Sequence, residues 1–264
     1  MFEAFTWIFK KENFKKHYIL LLVLNIFSIL PVILLLTGII KSLIGACIAL
    51  LLAFLSALPL CGYYWNLVEN IIDADTDISA NSIYNGKIKS CLKIDLPELN
   101  FGKLLWRGIA SLVANILLIT AYTLLMFSVG FCAGFSGAYF NQFSTLFAPL
   151  QLFAIGIGVL MFYLFIPALF WNYAKNNSVV AILNIGKAIY ITGNYTGRYL
   201  CKIFQMIFIY LVNVLILFLI SFPIVLINPQ IGIIFQYVAA IPLGVYFMFV
   251  YAYVLGTLAP NEEF

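Results

Sequence analysis

Few residues in this chain have the types and spacing that do chemistry. Glu69, Asp73, Asp75 and Asp77 form the one acidic cluster, and Asp73, Asp75 and Asp77 are spaced like the opening of a calcium-binding loop. Such a loop needs glycine at its sixth place for a sharp turn and a bidentate glutamate at its twelfth; here those places hold Ile78 and Tyr84. The cluster therefore reads as a solvated face paired with Lys87 and Lys89, with no metal bound. Asp-x-Asp also occurs in nucleotide-sugar enzymes, but nothing around it provides a catalytic domain. Cys47, Cys61, Cys91, Cys132 and Cys201 contain no C-x-x-C pair, which supports neither a disulfide framework nor a zinc site. His17 is the sole histidine, beside Lys16, and reads as an interfacial side chain. Any Ser/His/acid triad would have to use it, and no nucleophile elbow accompanies it. There is no Walker loop and no H-E-x-x-H. The expectation is no catalytic residue, no cofactor and no enzyme.

The elements that would carry these residues follow from composition. Of 264 residues 64% are apolar and 9% charged, whereas a soluble surface takes about 25–35% charged residues. Disorder is excluded by 25 Phe, 16 Tyr and 4 Trp. What remains is an all-α polytopic membrane bundle, a single integral membrane domain over 1–264. Four stretches lack Asp, Glu, Lys and Arg altogether: 18–40, 42–68, 108–174 and 203–261. A span needs roughly 20 apolar residues, so the two long stretches are divided. The first divides at the Gly-rich segment from Phe131 to Pro149 and the second at Asn228-Pro229-Gln230, where proline removes a donor. Six spans are expected, at about 18–40, 42–66, 108–130, 150–173, 203–227 and 231–257.

Thirteen of the fourteen Lys and Arg fall in the N-terminal segment and in alternate loops; only Lys41 falls on the opposite side. Basic residues in short loops stay cytoplasmic, so both termini are placed in the cytoplasm of a cell-membrane protein. The first stretch is too long for a signal-peptide core of about 7–15 residues and is expected to be a retained helix.

Mixed apolar and basic segments precede the odd-numbered spans: 1–16, 97–107 and 177–192. They read as inner-leaflet amphipathic helices or as cytoplasmic extensions of the spans, with Trp7, Trp106 and Trp171 as interfacial anchors and Pro97 in the first turn of the second segment. A threefold hairpin repeat is suggested by Asn13-Phe14-Lys15-Lys16, Asn100-Phe101-Gly102-Lys103 and Asn194-Tyr195-Thr196-Gly197-Arg198, each ahead of an intramembrane asparagine. Those asparagines, Asn25, Asn115 and Asn213, read as helix glue or as a polar solute site, because an amide in hydrocarbon must find a partner. Pro31, Pro59, Pro167, Pro223 and Pro242 interrupt five spans.

Gly62-Tyr63-Tyr64 through Asn70-Ile71-Ile72, then Asp95-Leu96-Pro97-Glu98-Leu99 and Leu104-Leu105-Trp106-Arg107-Gly108, resembles a family of bacterial and archaeal multi-pass membrane proteins carrying a domain of unknown function. Trp171-Asn172-Tyr173-Ala174 and Gly186-Lys187-Ala188 resemble its second half, so the likeness covers about 60–200. It departs at Leu99, where the family pattern has Trp. The resemblance implies a multi-pass membrane protein and no assigned reaction.

No Asp, Glu, Lys, Arg or His falls inside the expected spans, which argues against proton relays and ion-coupled pumps. The function expected is that of a non-enzymatic membrane scaffold or assembly component, with a channel or permease for a neutral or apolar solute as the alternative. The partners implied are the lipid bilayer, anionic inner-leaflet lipid, and a protein partner or second copy of the chain; nucleic acid is not among them.

Overall fold

A computed structural model describes residues 2–11, 13–85, 94–139, 156 and 164–259. All regular structure among them is helical. The order is α1 (Phe2–Thr6), a 3-10 turn (Trp7–Lys10), α2 (Phe14–Leu36), α3 (Leu43–Asn85), α4 (Phe101–Tyr139), α5 (164–176), a second 3-10 segment (Val179–Leu183), α6 (Ile185–Asn194), α7 (Thr196–Ile227) and α8 (Pro229–Gly256).

Five helices among the described residues are long and apolar enough to cross a membrane: Phe14–Leu35, Leu43–Ala74, Phe101–Leu124, Thr196–Ile227 and Ile231–Gly256. A fully apolar rod has no reason to bury itself in water-filled surroundings but every reason to stay in lipid, where its backbone groups are satisfied within the helix. The sixth expected span, 150–173, lies mostly outside the described residues; its described residues, 156 and 164–173, are helical.

The helices run longer than their uncharged stretches. α3 continues through the acidic cluster to Asn85, so Asp73, Asp75 and Asp77 stand on a helix. The calcium-loop spacing therefore falls on helical backbone. α4 likewise passes through Gly130, Gly134 and Gly137 to Tyr139, beyond the break expected at Phe131. Glycine costs a helix only about 1 kcal/mol, and the proline that would stop it, Pro149, comes later. Pro97 does not open a helix. Residues 94–100 are non-helical, and α4 begins at Phe101, where the Lys103 amide donates to Asn100 Oδ1 at 3.2 Å. The asparagine thus acts as N-cap. Asn184 does the same for α6, accepting from the Lys187 amide at 2.9 Å. Asn184-Ile185-Gly186-Lys187 thus shares with Asn100-Phe101-Gly102-Lys103 an asparagine that accepts from the amide three residues on.

The chain forms two compact units, Met1–Ser111 with Tyr195–Phe264, and Leu112–Asn194. In the first, α8 is the hub and packs against α1, α2, α3 and α7. Half of the most apolar window of α8 is buried, against 6% of that of α7, which keeps Phe204, Tyr210 and Leu219 exposed. α2 and α3 pack as neighbours across a short turn in which Gly38 takes a positive φ of 71°.

In the second unit, Asn172 on α5 is buried and donates to the Ala181 carbonyl at 2.7 Å, while Asn176 Nδ2 donates to Asn172 Oδ1 at 2.7 Å. This chain of amides fastens the 3-10 segment to α5. Asn177, left-handed at φ 47°, turns the backbone between them.

Candidate functional site

Polar side chains of the first unit join α3 to α4, α2 to α3 and α8, and α7 to the end of α8. α3 and α4 cross backbone to backbone. A Cβ on Gly62 would collide with the Leu104 carbonyl, lying 2.7 Å from its carbon, and a Cβ on Gly108 would collide with the Leu58 carbonyl, 2.6 Å from its carbon. The pairing of 58 with 108 and 62 with 104 makes the helices antiparallel here, with one glycine from each at the contact. Small residues permit such approach where no hydrophobic effect drives helices together in lipid.

Beside this crossing, Arg107 Nη2 meets Glu69 Oε2 at 3.4 Å, with side-chain exposures of 5% and 28%. Two turns beyond Gly62, Glu69 reaches the α4 face that carries Arg107. The sequence pattern had put both charges outside the spans, in a cytoplasmic loop; the structure brings them together inside the packed helices. Close by, Asn70 Nδ2 donates to the Asp95 carbonyl at 2.8 Å and ties α3 to the non-helical segment that leads into α4.

α8 receives a second set of clasps. Asn25 Nδ2 donates to the Ile241 carbonyl at 2.9 Å and the Tyr18 hydroxyl to the Pro242 carbonyl at 3.0 Å, so two side chains of α2 hold adjacent carbonyls at the proline of α8. The Tyr246 hydroxyl donates to the Phe5 carbonyl at 2.8 Å, fixing the N-terminal segment to α8. That segment buries Ala4, Trp7 and Ile8. Trp7 stacks on Tyr253 with centroids 5.5 Å apart. At the end of α8, Arg198 Nε donates to the Thr257 carbonyl at 3.0 Å and Lys202 Nζ to its hydroxyl at 2.8 Å. Cations suit a helix C-terminus, where carbonyls converge.

His17 is buried and shares a 3.0 Å hydrogen bond with the buried hydroxyl of Tyr63, whose ring packs edge-on against Phe249. The histidine therefore joins α2 to α3 in the interior, where interfacial solvation was expected. Among the described residues no three His, Cys, Asp or Glu side chains converge as metal ligands. Cys47, Cys61 and Cys201 are free thiols; Cys91 lies outside the described residues.

The other sequence-selected residues lie on α4, α5 and α7. Asn213 is half-buried on α7, and its Oδ1 is buried without a hydrogen-bond partner among the described residues. Asn115 is half-buried in the second unit. Trp106 is 74% exposed, whereas Trp171 is 2% exposed, its buried indole Nε1 having no hydrogen-bond partner among the described residues. The Arg107 and Glu69 pair and the Gly62 and Gly108 crossing were missed in the sequence. The available signal was a glycine near the inner end of each of two successive expected spans, with Arg107 adjacent to the second.

Set against protein-family models, curated proteins and solved structures, the chain matches none.

Proposed function

We propose that this is a non-enzymatic integral membrane scaffold, oriented with both termini and the basic loops in the cytoplasm, and that it belongs to the membrane family its Gly-Tyr and Leu-Pro-Glu segments resemble. The observation that carries the reading is how the polar groups of the first unit are spent. Asn25, Tyr18, Tyr246, Arg198 and Lys202 each hold a carbonyl or hydroxyl of another helix or segment, His17 holds Tyr63, and Arg107 holds Glu69. Groups committed to fastening helices support a packing role over turnover of a substrate. The exposed surface then does the work: Trp106 at 74% exposure and the apolar flank of α7 offer contact to lipid, to a protein partner or to a second copy of the chain.

One observation favours a permease for a neutral solute. Asn213 Oδ1 is a buried acceptor with no partner among the described residues, and an unpaired buried acceptor costs about 1–3 kcal/mol unless something supplies a donor. Reconstitution in vesicles separates the readings. A scaffold gives glycerol and urea fluxes equal to protein-free vesicles. Flux above that background that is lost in Asn213→Leu establishes the permease and ends the scaffold reading. A photocrosslinker at Trp106 in intact cells should give discrete protein adducts; a smear of lipid adducts alone would count against a protein partner there.

A further inference from the structure

Within Leu112–Asn194, α4, α5, the second 3-10 segment and α6 wall a cavity of about 160 Å³. Leu118 on α4, Phe165 and Leu169 on α5, Ile182 in the 3-10 segment and Ala188 on α6 line it, and all present hydrocarbon. Of the lining side chains only Tyr122 carries a polar atom. A bound water needs two to four polar partners, and an apolar cavity of about 150 Å³ stays dry and takes benzene. The space therefore suits about half a dozen carbons and excludes water.

The far wall is fixed before anything enters. Ile182 and Ala188 are completely buried, and the Asn172 amide holds the Ala181 carbonyl, next to Ile182, at 2.7 Å. Asn176 Nδ2 in turn holds Asn172 Oδ1 at 2.7 Å. These bonds resist collapse of the 3-10 segment into the space, and an empty cavity leaves its lining without contact atoms on one side. The near side is open, because Ala121, Leu183 and Ile185 also line the cavity and are exposed. All three are apolar, so hydrocarbon can enter without desolvating a polar side chain there.

We propose that the cavity receives the end of one lipid acyl chain, which enters past Ala121, Leu183 and Ile185 and packs against Leu118, Leu169 and Ile182. The inference rests on the membrane reading above, which makes acyl chains the solvent at that entrance. Lipid tails are as apolar as leucine, so transfer from the bilayer supplies no hydrophobic gain. The gain is the dispersion contact that the void otherwise forfeits.

The test uses full-length protein in phosphatidylcholine vesicles that include phosphatidylcholine with a diazirine near the end of one acyl chain; after irradiation the adducts are mapped by mass spectrometry. Adducts on the buried Leu118, Leu169 and Ile182 are expected beside those on the exposed Leu117 and Ile119. Ala121→Phe, which narrows the entrance, should remove the buried adducts and keep the exposed ones. Leu183→Trp makes the same comparison from the other side of the entrance should Ala121→Phe fail to fold. Ile119→Phe, at an exposed position of α4 outside the lining, should leave the buried adducts in place. Adducts confined to exposed residues overturn the proposal, as do buried adducts that survive both entrance variants or that fall equally in Ile119→Phe. So does a free alkyl diazirine that labels Leu118, Leu169 and Ile182 where the lipid-borne one does not, which would assign the cavity to a small hydrocarbon solute. An alkaline wash before irradiation separates the premise: protein released from the vesicles defeats the membrane reading, whereas protein retained and labelled only at exposed residues defeats this proposal alone.

Discussion

Replacing Gly62 by alanine should push α3 away from α4. The added Cβ would lie 2.7 Å from the Leu104 carbonyl carbon and 3.0 Å from the Gly108 nitrogen, where ordinary contact begins at 3.4 Å. Both neighbours are helix backbone and cannot rotate aside, so the helices must part by at least 0.7 Å, the gap between 2.7 and 3.4 Å. A gap of about 0.5–1 Å already forfeits a quarter to a half of each contact's dispersion energy. The loss is shared by Leu58 and Leu104, both buried, and by the Arg107 and Glu69 pair next to them. Overpacking of a well-packed site costs about 1–3 kcal/mol, and a rigid backbone obstacle puts this case at about 3 kcal/mol. For a chain of this size that corresponds to a fall in Tm of roughly 6–12 °C. The assay is thermal unfolding in detergent, followed by intrinsic fluorescence. Gly193→Ala is the control, because its Cβ would meet nothing within 4 Å; it should leave Tm unchanged or raise it slightly, since alanine suits a helix better by about 0.5–1 kcal/mol. A Gly62→Ala protein melting within about 2 °C of the Gly193→Ala control would refute the close crossing and the antiparallel pairing built on it.

Arg107→Ala should destabilise by about 3 kcal/mol, the low end for breaking a buried pair because Glu69 keeps 28% exposure. The double change Arg107→Met with Glu69→Leu should recover most of that loss in the same melting assay, and no recovery would mean the pair is not coupled. Asn25→Leu should cost about 0.6–2 kcal/mol by removing the bond to the Ile241 carbonyl, measurable as a lower Tm, whereas an unchanged Tm would detach α2 from α8 at that point. In a background with all native cysteines changed to serine, Lys41→Cys should react with an impermeant maleimide added outside intact cells and Lys103→Cys should not. Both positions are exposed, so the reverse labelling would invert the orientation.

Much of the helical architecture is legible along the chain, because lipid imposes a length and a polarity that composition alone reveals. The stretches around 18–40, 42–66, 203–227 and 231–257 lie on α2, α3, α7 and α8, and their ends follow local chemistry such as the Asn228 side chain accepting from the Ile231 amide at 3.2 Å. Charge-free stretches mark the apolar part of a helix and do not mark where the helix stops. α3 therefore carries its acidic residues on a continuing helix, and a loop-based reading of Asp73, Asp75 and Asp77 could not hold. The site was less legible. His17 beside Lys16 looks interfacial in one dimension; only the approach of Tyr63, 46 positions later, shows it buried and bonded. Asn25 carried its own signal, since an amide in an apolar run needs a partner, but nothing along the chain pointed to the Ile241 carbonyl.

Sequence by itself decided that this protein consists of apolar helices suited to a bilayer, because that property depends on the solvent each residue prefers. Tertiary structure decided which helix is central, which glycines meet, and that Arg107 and Glu69 share one buried contact. Those outcomes depend on backbone approach to within contact distance between residues far apart in the chain. In lipid, where one apolar side chain is nearly as comfortable as another, periodicity carries almost no information about which face turns inward.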